Sequence, residues 1–480
     1  MWWFPLLLAP VLAFTAPKNY NTVPEERWLN VRLNQMMASN NDTFPMRFFY
    51  NPLSSDNENV VILVGGDWEI SSEDAAQGLA VDIARNLRAS LFYTEQRYYG
   101  QSLPFPDTSV SNLRFLTMDQ SLGDLAQFIR YIKSDDFEQG RYGSAKVVLV
   151  GCSMGGSLAT WSRRAYPHLV QAVVSDGGPL YAREELPEFL EVVTEVLRVR
   201  GSEQCVQNLK EAADEIESAI TTSVGLGQVS QVFNTCTPLS TSAMDVATFW
   251  SAIIEELEVL VWDEIEAVPT ACAALASPAT ATAMQRLATW LEQRRPPTCL
   301  ETRYTETVAA LTNTSLESPQ LHKRLGLFVS CGQTGWARST AAAPLPAAAR
   351  PTEYHQQLCT DVFSEHFNQA FLQSGISRTN LFFGGKSVPD YVVSVLGRLD
   401  PMSPATPIEG GLKTPVYRPE APRCSALSSF VSSPDEENRM LKLNVMNDIQ
   451  YFITGVPFAG ASRAISSIFL LIGVGFALIV

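Results

Sequence analysis

The chain has 480 residues, 46% of them hydrophobic and 18% charged, a globular composition long enough for two or three domains and a large core. Its 35 basic and 50 acidic residues leave a formal charge of −15. No basic cluster offsets that charge, which excludes nucleic acid as a partner.

In chain order, the first segment reads MWWFPLLLAPVLAFTAP, an apolar run ending in small residues. It is expected to be a secretory signal over 1–16, although it lacks the usual basic start. Pro5 and Pro10 argue against a buried helix there. Two sequons, at Asn41 and Asn313, are compatible with glycosylation of a secreted chain. Val60–Val64 is a short aliphatic run closed by Gly65-Gly66, the pattern of a buried strand and turn. Ala75–Leu87 carries Leu79, Ile83 and Leu87 at helical spacing, and Ser90–Tyr93 returns as a strand. Thr117-Met118-Asp119-Gln120 has the form of a capping box, followed by Leu122, Leu125, Ile129 and Ile132 on one helix face. Lys146–Val150 and Val170–Ser175 are further strands. Strands alternating with helices imply a parallel sheet covered on both faces, an α/β class.

Helical signals dominate from Pro187 to about Ser374, for example over Glu188–Val199, Val206–Ile220, Val246–Val268 and Met284–Arg294. Six of the eight cysteines fall there: Cys205, Cys236, Cys272, Cys299, Cys331 and Cys359. In a secreted chain such a set suggests disulfides, and its spacing matches no zinc pattern, so no metal or cofactor is expected. Ser339–Pro351, rich in Ala and Pro, reads as an exposed loop. Tyr391–Leu396 and Pro415–Arg418 resume the strand pattern, and Glu437–Ile453 is a last amphipathic helix. The expected division is 17–185 and 375–458 for a sheet domain, with 186–374 inserted as a helical cap. The tail, 459–480, is apolar and uncharged from Ile465 onward. It is short for a spanning helix, and Gly460, Ala461 and Ser462 precede it, so a GPI signal is favoured over a tail anchor or a buried helix.

The chemistry centres on Gly151-Cys152-Ser153-Met154-Gly155, which lies between an apolar strand and a helical pattern. This is a nucleophile elbow, with Ser153 as the attacking alcohol. The N–H of Met154 supplies one oxyanion donor, and the loop at Gly66 supplies the second. Asp400 lies just past a late strand, where the acid of such a site belongs. The base should follow it, yet all four histidines, His168, His322, His355 and His366, precede Asp400.

Three stretches together resemble the prolylcarboxypeptidase family of lysosomal and secreted serine exopeptidases: EQRYYGQSLPF at Glu95–Phe105, GCSMGGSLATWSRRAYPHLV at Gly151–Val170, and GRLDPMSP at Gly397–Pro404. The resemblance implies an α/β-hydrolase domain with a disulfide-bonded helical cap, acting on small peptides beside proline. It also implies the bridges Cys205–Cys272, Cys236–Cys299 and Cys331–Cys359, leaving Cys152 and Cys424 over, with Cys152 as a small core residue. The departures cluster at the site. Arg423 stands where the family has its catalytic His, before Cys424-Ser425-Ala426-Leu427. Gln96 replaces a His, Gln333 a Glu, and Trp68 stands beside the glycines of the oxyanion turn.

Arg423 has only donors and cannot take the serine proton. Pairing with Asp400 is the expected use of its charge. Two readings stand. One is a serine exopeptidase. The other is a non-catalytic protein that binds small peptides through the same cleft. The expected partners are a peptide, a membrane reached through the tail, and a homodimer mate that the sequence alone leaves undecided.

Overall fold

The computed structural model describes residues 23–295, 298–340, 345–428 and 436–456. The expected signal and tail therefore lie outside the described residues. Eight strands form the main sheet: β1 (Glu25–Arg32), β2 (Thr43–Asn51), β3 (Asn59–Val64), β4 (Ser90–Thr94), β5 (Lys146–Cys152), β6 (Ala172–Asp176), β7 (Val392–Val395) and β8 (Val416–Tyr417). Their order across the sheet is β1-β2-β4-β3-β5-β6-β7-β8. The pairs β1–β2 and β2–β4 are antiparallel and the remainder parallel, so the sheet is mixed. This is the α/β-hydrolase arrangement, with the nucleophile elbow after the fifth strand.

The central strands are buried on both faces, which is why they read as unbroken aliphatic runs. Helix α1 (Leu79–Asn86) is shorter than the periodicity predicts because Gly78, at φ 96°, can only enter it as a cap. Helix α2 (Met118–Ile132) buries Leu122, Leu125, Ile129 and Ile132. Its expected capping box is half formed. The Thr117 side chain accepts from the Gln120 N–H, but the Gln120 side chain bonds Asn34 and Gln35 instead. Helix α3 (Ser153–Ala165) leaves β5 without a linker, and α4 (Ala243–Trp262) is the longest helix of the cap. The predicted single helix Val246–Val268 breaks after Trp262, and a new helix begins at Val268 with Pro269 in its first turn. Helix α5 (Glu436–Thr454) closes the described fold.

The cap lies between β6 and β7 in sequence. Its core includes Phe189, Trp250, Ile253, Leu257 and Val261, and runs without a break into Leu399, Met402 and Ala405 of the sheet domain. The residues flanking Asp400 are thereby locked into cap packing. In the described part of Ser339–Pro351, expected as an exposed loop, Ala347 and Ala348 are exposed but four residues are buried. Ser339, Thr340, Leu345 and Ala349 are buried, since small and apolar side chains fill space under the cap as readily as they face water. Disulfides join Cys205 to Cys272, Cys236 to Cys299 and Cys331 to Cys359. A fourth joins Cys152 to Cys424, so the expectation of two unpaired cysteines is corrected. Among the described residues no helix is long and apolar enough to cross a membrane.

Close backbone contact sets the start of α3. A Cβ on Gly155 would stand 2.3 Å from the carbonyl oxygen of Val64. Gly155→Ala is therefore expected to cost about 1–3 kcal/mol, the range for forcing an extra methyl into a packed site. Chemical denaturation checks this, and an unchanged midpoint would refute the close approach.

Candidate active site

Strand register brings the site together. Cys152 pairs with Asp176, and Asp176 with Val395, so β5, β6 and β7 end level at the carboxyl edge of the sheet. Ligands of open α/β sheets bind at that edge. Ser153 is the first residue past it and has φ 48°, a left-handed conformation that a non-glycine residue holds at a cost of order 1–3 kcal/mol. The strain turns Ser153 out of the strand at the N-terminus of α3, where free N–H groups and the helix dipole favour negative charge.

The turn carrying Gly65 approaches the start of α3, where a Cβ on Gly155 would stand 3.4 Å from the Gly65 carbonyl carbon. Met154, the oxyanion donor expected on α3, directly precedes Gly155 in the chain. A Cβ on Gly66 would stand 2.3 Å from the Trp68 ring, so that indole covers the glycine. Trp68 is held there by an indole N–H bond to the Tyr93 hydroxyl at 2.9 Å.

Asp400 is completely buried. Its Oδ1 accepts from the Met402 N–H at 3.0 Å. Its Oδ2 completes no hydrogen bond among the described residues and lies 2.9 Å from where a Cβ on Gly177 would stand. The same Cβ would be 3.4 Å from Arg423 Cβ, so Asp400 and Arg423 flank Gly177. Two backbone bonds, Arg398 N–H to Pro419 at 2.9 Å and Leu399 N–H to Ala421 at 3.2 Å, tie the acid loop to the segment carrying Arg423. The Cys152–Cys424 bond adds a covalent tie, with Cα atoms 5.4 Å apart. One bonded cysteine adjoins Ser153 and the other adjoins Arg423. The Cα atoms of Ser153 and Arg423 therefore lie within about 13 Å, one peptide step from each end of the bridge.

The expected hydrogen bond between Arg423 and Asp400 does not form. The Arg423 guanidinium bonds Asp263 at 3.1 Å and stacks over Trp262, its carbon 4.5 Å from the ring centroid. Both partners stand at the end of α4, in the cap. The competition is decided by access. Asp263 offers an exposed carboxylate, while Asp400 is enclosed. Burial pushes the Asp400 pKa up to about 6, against opposing effects of the Met402 N–H, the Arg423 charge and the Trp262 indole N–H.

A second buried acid, not expected from the sequence, stands beside the first. Asp176, at the end of β6, accepts from the Ala426 N–H at 2.8 Å, and its Oδ1 has no partner among the described residues. Burial, and next the nearby Asp400 charge, raise its pKa to about 7 against the backbone N–H bonds it accepts. Strand register could have found it, since β6 ends beside the elbow strand. The fourth disulfide could have been found from cysteine parity in a secreted chain.

None of the four histidines contacts Ser153. His168 is exposed beyond the far end of α3, and His322 and His366 are exposed beside Tyr99 and Phe371. His355 packs on the Cys331–Cys359 bridge, with its Nε2 3.7 Å from Cys359 Sγ. Burial and the charges of Arg350 and Arg338 lower its pKa to about 4, so it is neutral. These two sulfurs and His355 are close enough to suggest a metal site, but sulfurs joined in a disulfide are not thiolate ligands. The other departures are structural. Gln333 accepts from the Met118 N–H at 2.9 Å and donates to Leu116 at 3.0 Å, and Gln96 donates to the Ser121 hydroxyl at 3.3 Å. Asn41 and Asn313 are both exposed.

A family model described as serine carboxypeptidase S28 matches residues 31–414. The chain is similar to the lysosomal Pro-X carboxypeptidase of Mus musculus, at 26% identity over 68% of this chain and 67% of that protein. The same-named protein of Bos taurus is 31% identical over 45% and 44% of the two chains. The thymus-specific serine protease of Mus musculus is 24% identical over 90% and 88%.

The buried acids fix a sign for the pH dependence of stability. Both have folded-state pKa values above that of a free carboxyl, so the folded protein binds the extra protons. Their contribution is fully present below about pH 4 and is lost as pH rises through 6 and 7. Melting temperature is expected to fall from pH 5.0 to 7.5, and Asp176→Asn to flatten that slope. A melting temperature that rises over this interval would contradict the assignment.

Proposed function

The chain belongs to the serine carboxypeptidase S28 family, and from that premise we infer that it is a non-catalytic, peptide-binding relative of the serine exopeptidases. One observation carries the reading. Ser153 stands at the sheet edge, Asp400 and Arg423 flank Gly177, and among the described residues no histidine hydrogen-bonds Ser153. An alcohol becomes a nucleophile when a neighbouring group takes its proton. Arg423 carries donors alone and has no lone pair for that proton. Loss of a triad member elsewhere leaves about 10³–10⁴-fold catalysis over water, far below a working peptidase.

The ligand class follows from the relatives. Two are named for Pro-X carboxypeptidase activity, which supports a short peptide with proline beside its C-terminal residue. The free N–H groups at the start of α3 and the charge of Arg423 support a ligand that brings an oxyanion or carboxylate to this edge. Four disulfides and two exposed sequons support a secretory or lysosomal route, with the apolar tail as a membrane attachment.

A second reading, an active exopeptidase, is favoured by the strained Ser153, because stored strain of this kind clusters at sites of chemistry. One pair of measurements separates the two. The unmutated protein is incubated with an alkyl fluorophosphonate, and separately with a proline-containing tripeptide followed by calorimetry and mass spectrometry. The expected result is no covalent label, measurable heat of binding and an intact peptide. Labelling of Ser153 or a shortened peptide would overturn the non-catalytic reading.

A further inference from the structure

The cap carries a cleft to which Ser153, Asp400 and Arg423 contribute nothing. Its walls come from α4 and from the helices Tyr304–Thr312, Leu321–Val329 and Thr352–Val362, and its volume is about 190 Å³. One bridging water needs about 10–15 Å³, so the space takes a small solute. Ser251 of α4 lines it, about three turns before Trp262, the ring that holds Arg423. Three turns of helix rise about 16 Å, so the cleft is separate from the carboxyl edge of the sheet.

The charges of the lining decide what the cleft can hold. Lys323 pairs with Glu255 at 2.5 Å, joining two of the walls. Glu301 Oε1 accepts from the backbone N–H groups of Thr302 and Arg303 at 2.8 and 2.7 Å. Two lining charges stay open. Neither the Glu306 carboxylate nor the Arg295 guanidinium has a hydrogen-bond or ion-pair partner among the described residues. They do not pair with each other, since their charged atoms lie more than 4.0 Å apart. Between these opposite charges the cleft offers one more polar group. Ser251 is only 5% exposed, and its Oγ completes no hydrogen bond among the described residues. A buried hydroxyl is ordinarily paired, and here a ligand can supply the partner. Ala252, Ala310 and Leu311 add apolar surface beside it.

We propose that this cleft is a second binding site, for a zwitterion of dipeptide size with a free ammonium group and a free carboxylate. The ammonium pairs with Glu306, the carboxylate with the fork of Arg295, and the peptide group with Ser251 Oγ. An extended residue spans about 3.3–3.6 Å, so a dipeptide sets its end charges far enough apart to bridge two side chains that do not meet. A single amino acid carries both charges on one carbon and cannot. Small apolar side chains match the alanines and the leucine of the lining. The site uses no residue of the sheet edge, so it stands whichever reading of Ser153 holds.

The test is calorimetric titration of the full-length protein with L-alanyl-L-alanine, with its N-acetylated and C-amidated form, which has lost both charges, and with free L-alanine. Four proteins are compared: the unmutated chain, Glu306→Gln, Arg295→Gln and Arg423→Gln. Thermal melts show which are folded, and Glu306→Gln carries the test should Arg295→Gln not fold. The expected result is saturable binding of dialanine to the unmutated chain and none of the capped form. Each cleft substitution is expected to weaken binding by at least about tenfold, the scale of one lost charge-assisted hydrogen bond, while Arg423→Gln leaves it unchanged. Absence of binding to the unmutated chain, or binding that survives the cleft substitutions, overturns the proposal. Loss in Arg423→Gln alone also overturns it, by placing the dipeptide at the sheet edge, and leaves the peptide-binding reading of that edge intact. Free L-alanine binding as tightly as dialanine would refute the dipeptide size.

Discussion

The level ending of β5, β6 and β7 is the constraint on which the site depends. Parallel pairing places Cys152, Asp176 and Val395 in one row. Whatever follows each strand must emerge at the same edge. Ser153, Gly177 and the loop to Asp400 do so, and the Cys152–Cys424 bond then anchors a fourth segment to that row. Ser153, Asp400 and Arg423 are thus held together by backbone register and one covalent link. The scaffold survives whichever side chain stands at position 423.

Charge then decides what the scaffold can do. Enclosing Asp400 strips it of water, and a single backbone N–H is poor compensation. Part of that cost is avoided by protonation, which the raised pKa reflects. A guanidinium nearby prefers the open face of an indole and an exposed carboxylate, where it keeps its hydration and forms a cation–π contact. The arginine therefore turns to the cap, not to the acid. Ser153 is left in its strained conformation, its carbonyl accepting from the Ser157 hydroxyl at 3.4 Å.

Much of the fold is legible along the chain, for local reasons. Val60–Val64 and Lys146–Val150 are aliphatic runs because strands covered on both faces need no polar side. The hairpin of β1 and β2 escapes notice because Glu25–Arg32 is an exposed edge strand, with Glu25, Glu26, Arg27 and Asn30 interrupting its apolar residues. The start of α1 escapes because the helical spacing of Ala75–Leu87 continues through Gly78, while backbone conformation does not. Composition is only a partial guide in the described part of Ser339–Pro351, where Ala347 and Ala348 are exposed but Ser339, Thr340, Leu345 and Ala349 are buried.

By itself the sequence determined a strand-to-helix serine at Ser153, an aspartate after a late strand at Asp400, and the lack of any histidine beyond His366. Those are matters of residue type and of order within a few positions, which local chemistry writes directly. Only the tertiary structure decided that Cys152 bonds Cys424, that Asp176 lies beside Asp400, and that Arg423 turns to Trp262 and Asp263 some 160 residues earlier. Contacts at such separations follow from how the cap closes on the sheet. That closure is set by the summed packing of many apolar side chains, and no short stretch of sequence records it.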